Sequence, residues 1–205
     1  YSGKVWDLLR EDGYLYEDAR DTEKPSRGFK GTFPHSLGKV EGDLFSQIAN
    51  TPFVDDLLMR FTKEVVTQEE LGQREDVDFL AVSFSATDYV GHEFGPNSRE
   101  AEDNLLRLDQ TLAGLFRFVD QKVGLEKTLI VLSSDHGVAE IPEYAKGLGL
   151  PAGRVLIKDM IDDLNRQLRS AFQCDEDLVL GFSHPSVFLN RTVIEKLDLD
   201  MTKVT

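Results

Sequence analysis

Two short stretches of this chain place an aspartate and a histidine just after an apolar run, and they constrain the possible folds more than any other feature. The stretches are FLAVSF (79–84) followed by Asp88 and His92, and TLIVL (128–132) followed by Asp135 and His136. We predict that each apolar run is a buried β-strand. The first Asp/His pair is then expected in a glycine-interrupted loop beyond the strand's C-terminal end.

The segment between the two runs has the period of an amphipathic helix. Residues 97–122 place apolar side chains on one face, namely Ala101, Leu105, Leu108, Leu112, Phe116 and Val119. A strand–helix–strand crossover makes its two strands parallel, so both Asp/His pairs are expected at the same edge of one sheet. The sequence therefore predicts an α/β fold with a parallel sheet flanked by helices, and four convergent side chains.

Carboxylates and neutral imidazoles suit a borderline divalent ion such as zinc, whereas structural zinc sites more often use thiolates. The chain has one cysteine, Cys174, so it has no internal disulfide framework. Two Asp/His pairs are too few to saturate two ions, which leaves coordination positions for water and substrate. The alternative is a pair of ordinary hydrogen-bonded loops, and the occurrence of two pairs at one edge favours the metal site.

The motifs around these pairs resemble those of a known family. SATDYVGHEFGPNS (85–98) and SSDHGVAEIP (133–142) closely resemble the metal-binding signatures of the alkaline phosphatase superfamily. Within it they look like bacterial periplasmic alkaline phosphatases of the type I phosphodiesterase and nucleotide pyrophosphatase group. GTFPHSLG (31–38) and NTPF (50–53) fit the same branch, so the resemblance covers most of residues 1–140.

The resemblance implies a pair of zinc ions, with Asp88 and His92 on one and Asp135 and His136 on the other. It also implies that the Thr or Ser nucleophile and another Asp ligand lie upstream of such a segment, and a further His ligand downstream. The chain is accordingly expected to be part of a longer catalytic domain, inactive by itself, whose parent is periplasmic or secreted.

The composition narrows the classes of partner. A net charge of −14 argues against a nucleic-acid surface, which needs basic residues to neutralise phosphates. The sequence contains no run of about 18 apolar residues and no signal peptide at its start. We expect a globular chain, with no membrane segment of its own, whose partner is a small phosphate ester drawn in by local metal charge.

The first 72 residues carry fewer signals. Val5, Leu8 and Leu9 suggest a short helix, and the following segment is expected to be irregular, with His35 in a loop outside the site. Residues 50–72 are predicted to be helical. Their expected N-cap is Thr51, with Pro52 at the first helical position, and their expected buried face is Leu57, Leu58, Phe61 and Val65.

Residues 141–205 are predicted to form a small α+β insertion resembling a lid, next to the catalytic core of residues 1–140. A helix is expected over 156–172, and a hairpin over 178–182 and 187–189. His184 is expected in the hairpin turn, outside the metal site.

For the parent protein the preferred function is zinc-dependent hydrolysis of phosphomonoesters. Phosphodiesterase or nucleotide pyrophosphatase activity is the first alternative, and sulfatase or phosphoglycerate mutase relatives remain more distant ones. An alternative of another class is a non-catalytic module that binds metal or a partner.

Overall fold

A computed structural model describes residues 1–23, 25–39 and 42–204. Residues 1–150 and 151–205 form two compact units, each of which is described by itself. The expected boundary between a catalytic core and an insertion, at residues 140 and 141, stays a prediction. The elements are β1 Val5–Trp6, β2 His35–Ser36, α1 Leu44–Ala49, α2 Phe53–Gln68, α3 Ala86–Phe94, α4 Arg99–Lys122, a 3₁₀ turn Leu125–Lys127, α5 Pro142–Gly147, α6 Ile157–Phe172, β3 Val179–Ser183, β4 Ser186–Leu189, α7 Arg191–Lys196 and α8 Met201–Val204.

The core of the first unit is built from aromatic residues of the N-terminal segment and of helix α3. Trp6 packs edge-on against Phe33 and Phe94, with ring centroids 5.3 and 6.0 Å away. The predicted helix at Val5 is wrong, because Val5 and Trp6 instead pair antiparallel with Ser36 and His35. The buried core residues are Trp6, Phe29, Leu37, Ile48, Phe53, Val90 and Phe94.

Acidic side chains on the first turns of α4 hold the irregular N-terminal segment in place. Asp103 accepts hydrogen bonds from Trp6 Nε1, the Leu9 N–H and the Tyr14 hydroxyl. Glu102 accepts from the backbone N–H groups of residues 15 and 16. Backbone donors outside helices and strands must find other acceptors, and these carboxylates supply them. A helix N-terminus also favours negative charge.

Helix α2 exists where the sequence predicted a helix, but its start and its buried face differ. It begins at Phe53, and Thr51 Oγ1 donates to the Ile48 carbonyl instead of capping. Leu57 and Phe61, expected to be buried, are exposed. The reason is tertiary: α2 packs on α1, α3 and α4 through the side chains of Phe53, Asp55, Met59, Thr62 and Val66.

Helix α4 was correctly predicted, with its start two residues later than expected. Its N-cap is Ser98, whose Oγ accepts from the Ala101 N–H at 3.1 Å and donates to the Gly95 carbonyl at 2.7 Å. Ala101, on the predicted apolar face, packs against the aromatic core, but Leu105 on the same face is exposed.

The two predicted strands are not formed within the described residues. Residues 79–84 and 129–134 have no backbone hydrogen bond to another segment, and both described sheets are antiparallel. Burial is also contradicted, since Phe79 is 91% exposed and Leu129 is 89% exposed. A strand exists only when a neighbouring strand supplies its ladder bonds, and neither segment has such a neighbour here.

The second unit follows the sequence prediction more closely. Helix α6 matches the predicted helix, and β3 pairs with β4 in an antiparallel hairpin that aligns Phe182 with Val187. Asn165 joins α6 to the hairpin by two bonds to the Val179 backbone, at 2.8 and 2.9 Å. The buried core of this unit is Leu178, Ile194 and Val204. Among all described helices, none combines the length and apolarity needed to cross a bilayer.

Candidate metal centre

Helix α3 carries the first Asp/His pair, so the predicted loop around these residues is in fact helical. Asp88 and His92 are one turn apart on the same helix face, and Asp88 Oδ1 lies 3.4 Å from His92 Nε2. The helix ends at Gly95, which has φ of +98°. A Cβ at Gly95 would lie 2.5 Å from Ile141 Cδ1, the movable end of that side chain, so it is the positive φ that favours glycine here.

The second pair lies on an exposed irregular segment that approaches the first pair. His136 Nε2 lies 3.6 Å from Asp88 Oδ1 and 3.7 Å from Asp135 Oδ2. One imidazole nitrogen therefore contacts a carboxylate from each pair. These pairwise contacts link the four side chains identified in the sequence, and the parallel sheet expected to bring them together is not formed within the described residues.

The orientation of His136 suits a metal ligand. Its Nδ1 lies 2.9 Å from the Gly137 carbonyl oxygen, which can only accept, so Nδ1 carries the proton. In the neutral ring this leaves the Nε2 lone pair facing the carboxylates, the arrangement usual for metal-binding histidines. The Gly137 carbonyl raises the pKa of His136, and the Asp135 and Asp88 carboxylates raise it further.

The donor set fits zinc in its chemistry and spacing. Two ligands at about 2.1 Å from a tetrahedral zinc lie roughly 3.4 Å apart, close to the Asp88–His92 separation. Within the described part of the chain, no three His, Cys, Asp or Glu side chains are grouped so that they could hold one ion. Each Asp/His pair therefore fits as a partial ligand set that requires donors from outside these residues.

His35 and His184 belong to other elements of the chain. His35 is buried in β2 and bonds to Glu100, so the expectation of a loop residue is wrong. His184 is exposed in the β3–β4 turn, as predicted, with its ring 6.3 Å from that of Phe182. On α3, Phe94 belongs to the core, whereas Tyr89 beside Asp88 remains 46% exposed.

Two polar residues that support α3 were not identified from the sequence. Asp55 Oδ1 accepts from the Ala86 N–H at 3.2 Å, and Asn104 Nδ2 donates to Thr87 Oγ1 at 3.0 Å. Asp55 lies in the first turn of α2, where an acidic side chain is ordinary. No local sequence signal reveals a partner 31 residues away.

Comparison with known proteins identifies the family. A family model of the type I phosphodiesterases and nucleotide pyrophosphatases matches residues 11–188. Alkaline phosphatase PhoV of Synechococcus elongatus is 37% identical over 166 residues, which are 79% of this chain and 30% of PhoV. A Myroides odoratus protein named calcium-transporting ATPase is 37% identical over 200 residues, 96% of this chain and 35% of that protein.

A relative whose structure is solved supports the same family assignment. Alkaline phosphatase PafA of Elizabethkingia meningoseptica is 36% identical over 172 residues. The crystal structure of wild-type PafA matches this chain with a TM-score of 0.84 at 32% identity, covering 99% of this chain and 39% of PafA. The fold is that of part of an alkaline phosphatase, and the chain belongs to the type I phosphodiesterase / nucleotide pyrophosphatase family. It spans 30% to 35% of the length of these curated relatives.

Proposed function

We propose that this 205-residue chain contributes four metal ligands to a zinc-dependent phosphate-ester hydrolase whose preferred substrates are phosphomonoesters. The observation that carries the proposal is the convergence of Asp88, His92, Asp135 and His136 through the contacts of Asp88 and His136. The family assignment and the similarity to PhoV and PafA support phosphate-ester hydrolysis as the reaction class.

The chain's own residues provide binding and orientation. Asp88 and His92 would hold one zinc ion, and Asp135 and His136 a second. Bound zinc would activate the nucleophile and stabilise the leaving oxygen of the ester. Helix α3 fixes the spacing of its pair, and the Gly137 carbonyl keeps His136 Nε2 directed at the carboxylates. The exposure of both pairs leaves the cluster accessible to a substrate.

The nucleophile is proposed to lie in the remainder of the catalytic domain. Phosphoryl transfer depends almost wholly on positioning and charge stabilisation, and the 205 residues supply only part of the ligand set. We therefore expect the isolated chain to hydrolyse no phosphate ester above background.

By analogy with the bacterial alkaline phosphatases, we place the parent protein in the periplasm or outside the cell, which fractionation of the native host would test.

Hydrolysis of phosphodiesters or nucleotide pyrophosphates is the second candidate. The description of the family favours it, since the matching model covers type I phosphodiesterases and nucleotide pyrophosphatases. The comparison to make is the ratio of kcat/KM for an aryl phosphate to that for a bis-aryl phosphate. We expect the monoester to be preferred, and a strong preference for the diester would replace our first choice with the second.

The test uses the full-length protein with zinc in alkaline buffer. We expect turnover of an aryl phosphate, loss of turnover with a chelator, and a loss of at least about 100-fold in His136→Ala. His184→Ala is the matched control, because His184 is also an exposed histidine but belongs to the other compact unit. Activity that survives both the chelator and His136→Ala would reject the proposed metal site, and a full-length protein without any turnover of phosphate esters would favour a non-catalytic module.

A further inference from the structure

The first turn of α3 is held by two neighbouring helices and not by a cap of its own. Ser85 occupies the N-cap position, but its side chain makes no capping hydrogen bond. The Ala86 N–H instead donates to Asp55 Oδ1 on α2. The Thr87 hydroxyl accepts from Asn104 Nδ2 on α4. These two bonds attach consecutive residues of α3 to different helices, immediately before Asp88.

The two supporting side chains, Asp55 and Asn104, are buried although each has a polar atom that lacks a partner among the described residues. Asp55 is 3% exposed and Asn104 is 1% exposed. Each satisfies one polar atom and leaves another, Asp55 Oδ2 or Asn104 Oδ1, without a hydrogen-bond partner among the described residues. Burying an unsatisfied polar atom costs free energy, so stability alone gives no reason for a carboxylate at position 55. A role in fixing the position of α3 does give a reason for a carboxylate at position 55, because that carboxylate accepts from the first residue of the helix.

The placement of α3 determines where its ligands lie. Asp88 directly follows Thr87, and His92 is one turn further along the same helix face. A rotation or shift of the first turn would therefore move both donor atoms relative to His136. Metal affinity responds strongly to such changes, because groups behind the ligands commonly change affinity or activity by about 10- to 100-fold.

We propose that Asp55 and Asn104 are positioning residues that fix the first turn of α3 and thereby orient Asp88 and His92 toward a metal ion. The inference rests on the proposed function, since it assigns a role relative to that metal. It adds a specific mechanism: the Asp55 carboxylate on α2 accepts from a backbone N–H of α3, and the Asn104 side chain on α4 donates to a hydroxyl of α3. Neither residue contacts the reacting atoms.

The test compares Asp55→Ala, Asp55→Asn and Asn104→Ala in the full-length protein, with Asp56→Asn as the matched control. Asp56 is the neighbouring acidic residue in the same turn of α2. The readouts are zinc affinity by competition with a chromophoric chelator, kcat and KM for an aryl phosphate, and melting temperature without metal. Amide hydrogen exchange at Ala86 gives a readout that does not depend on activity.

We expect zinc affinity to fall about tenfold or more in the two Ala variants, with faster exchange at Ala86 in Asp55→Ala. At fixed zinc kcat should fall, excess zinc should partly restore it, and KM should change little. Asp55→Asn should retain most of the affinity, because its amide oxygen can still accept from Ala86. If Asp55→Ala or Asn104→Ala does not fold, Thr87→Val removes the hydroxyl acceptor with little change of shape and should reproduce the loss.

The outcomes separate this inference from the proposed function. A wild-type protein that neither binds zinc nor hydrolyses the ester refutes the proposed function, and the inference with it. An active wild type whose variants melt earlier but bind zinc normally shows that Asp55 and Asn104 serve stability alone. Equal losses in Asp55→Asn and Asp55→Ala would show that charge matters rather than the acceptor, which also overturns the inference.

Discussion

Nε2 of His35 lies 2.8 Å from Oε1 of Glu100, and both side chains are completely buried. The contact joins β2 to the first turn of α4 across 65 residues of sequence. His35 Nδ1 and Glu100 Oε2 have no hydrogen-bond partner within the described residues. The pair is therefore buried with one polar atom of each side chain unpaired among the described residues, which makes its removal informative.

Removing one member of this pair should be strongly destabilising. Glu100→Leu or His35→Leu alone leaves a buried polar group without its partner, and we expect a loss of about 3–5 kcal/mol of unfolding free energy. The double variant should be more stable than either single one, because replacing a whole buried pair with apolar residues is often nearly neutral. Urea denaturation measures all three, and the exposed Glu64→Leu is the control. Additive losses in the double variant would contradict this account.

The pH dependence of stability should reveal the buried carboxyl group of Asp55. Burial raises the pKa of the Asp55 carboxyl group from its usual value of about 3.8 to about 6. Because the folded-state pKa is raised, the contribution of Asp55 is fully present below about pH 4 and is lost as the pH rises through 6. Asp55→Asn should therefore stabilise the metal-free protein above about pH 7, by at most about 3 kcal/mol. Thermal melts at about pH 4 and pH 8 should show that this gain appears only at the higher pH.

The two serines that precede helices in the first unit should differ in importance. Ser98 caps α4 by accepting from the Ala101 N–H, whereas Ser85 makes no capping bond to α3. Ser98→Ala should cost about 1–2 kcal/mol, and Ser85→Ala should cost much less. Denaturation midpoints of the metal-free protein would test this, and equal losses would mean that the Ser98 cap adds nothing to stability.

Zinc binding by the 205-residue chain should be weak and sensitive to pH. The described residues supply two ligands for each proposed ion, and histidine must be deprotonated to bind. The raised pKa of His136 means that protons compete at a higher pH than for an ordinary histidine. Calorimetric titration should show affinity that falls as the pH is lowered and falls further in Asp135→Ala. Tight binding that is indifferent to Asp135→Ala would show that other residues hold the metal.

Local signals predicted some elements well and could not predict others. The spacing of apolar residues located α4 and α6, and the apolar runs located the β3–β4 hairpin, because each depends on contacts that are close in sequence. The environments of His35 and Asp55 depend on Glu100 and Ala86, which are distant in sequence and leave no periodic signal. The approach of His136 to Asp88 was expected from a strand–helix–strand crossover, but the described residues do not form the two strands of that crossover.

The exposed apolar runs lead to the last prediction, which concerns residues 79–84 and 129–132. Phe79, Leu129 and Val131 are exposed, and no backbone group of either run bonds to another described segment. Exposed apolar surface with unpaired backbone is a template for association with another chain. We expect the isolated 205-residue chain to bind a hydrophobic dye and to self-associate as its concentration rises.

Charge placed on these runs should suppress that association. Phe79→Lys and Val131→Lys add a charge at exposed positions, and lysine at exposed strand edges disfavours pairing between chains. Light scattering of the isolated chain should therefore show less association in both variants, whereas Lys127→Arg, outside the runs, should change nothing. In the full-length protein, where we propose that further strands pair with these runs, the same substitutions should be destabilising. An isolated chain that stays monomeric and binds no dye would mean that the two runs do not behave as unpaired strands.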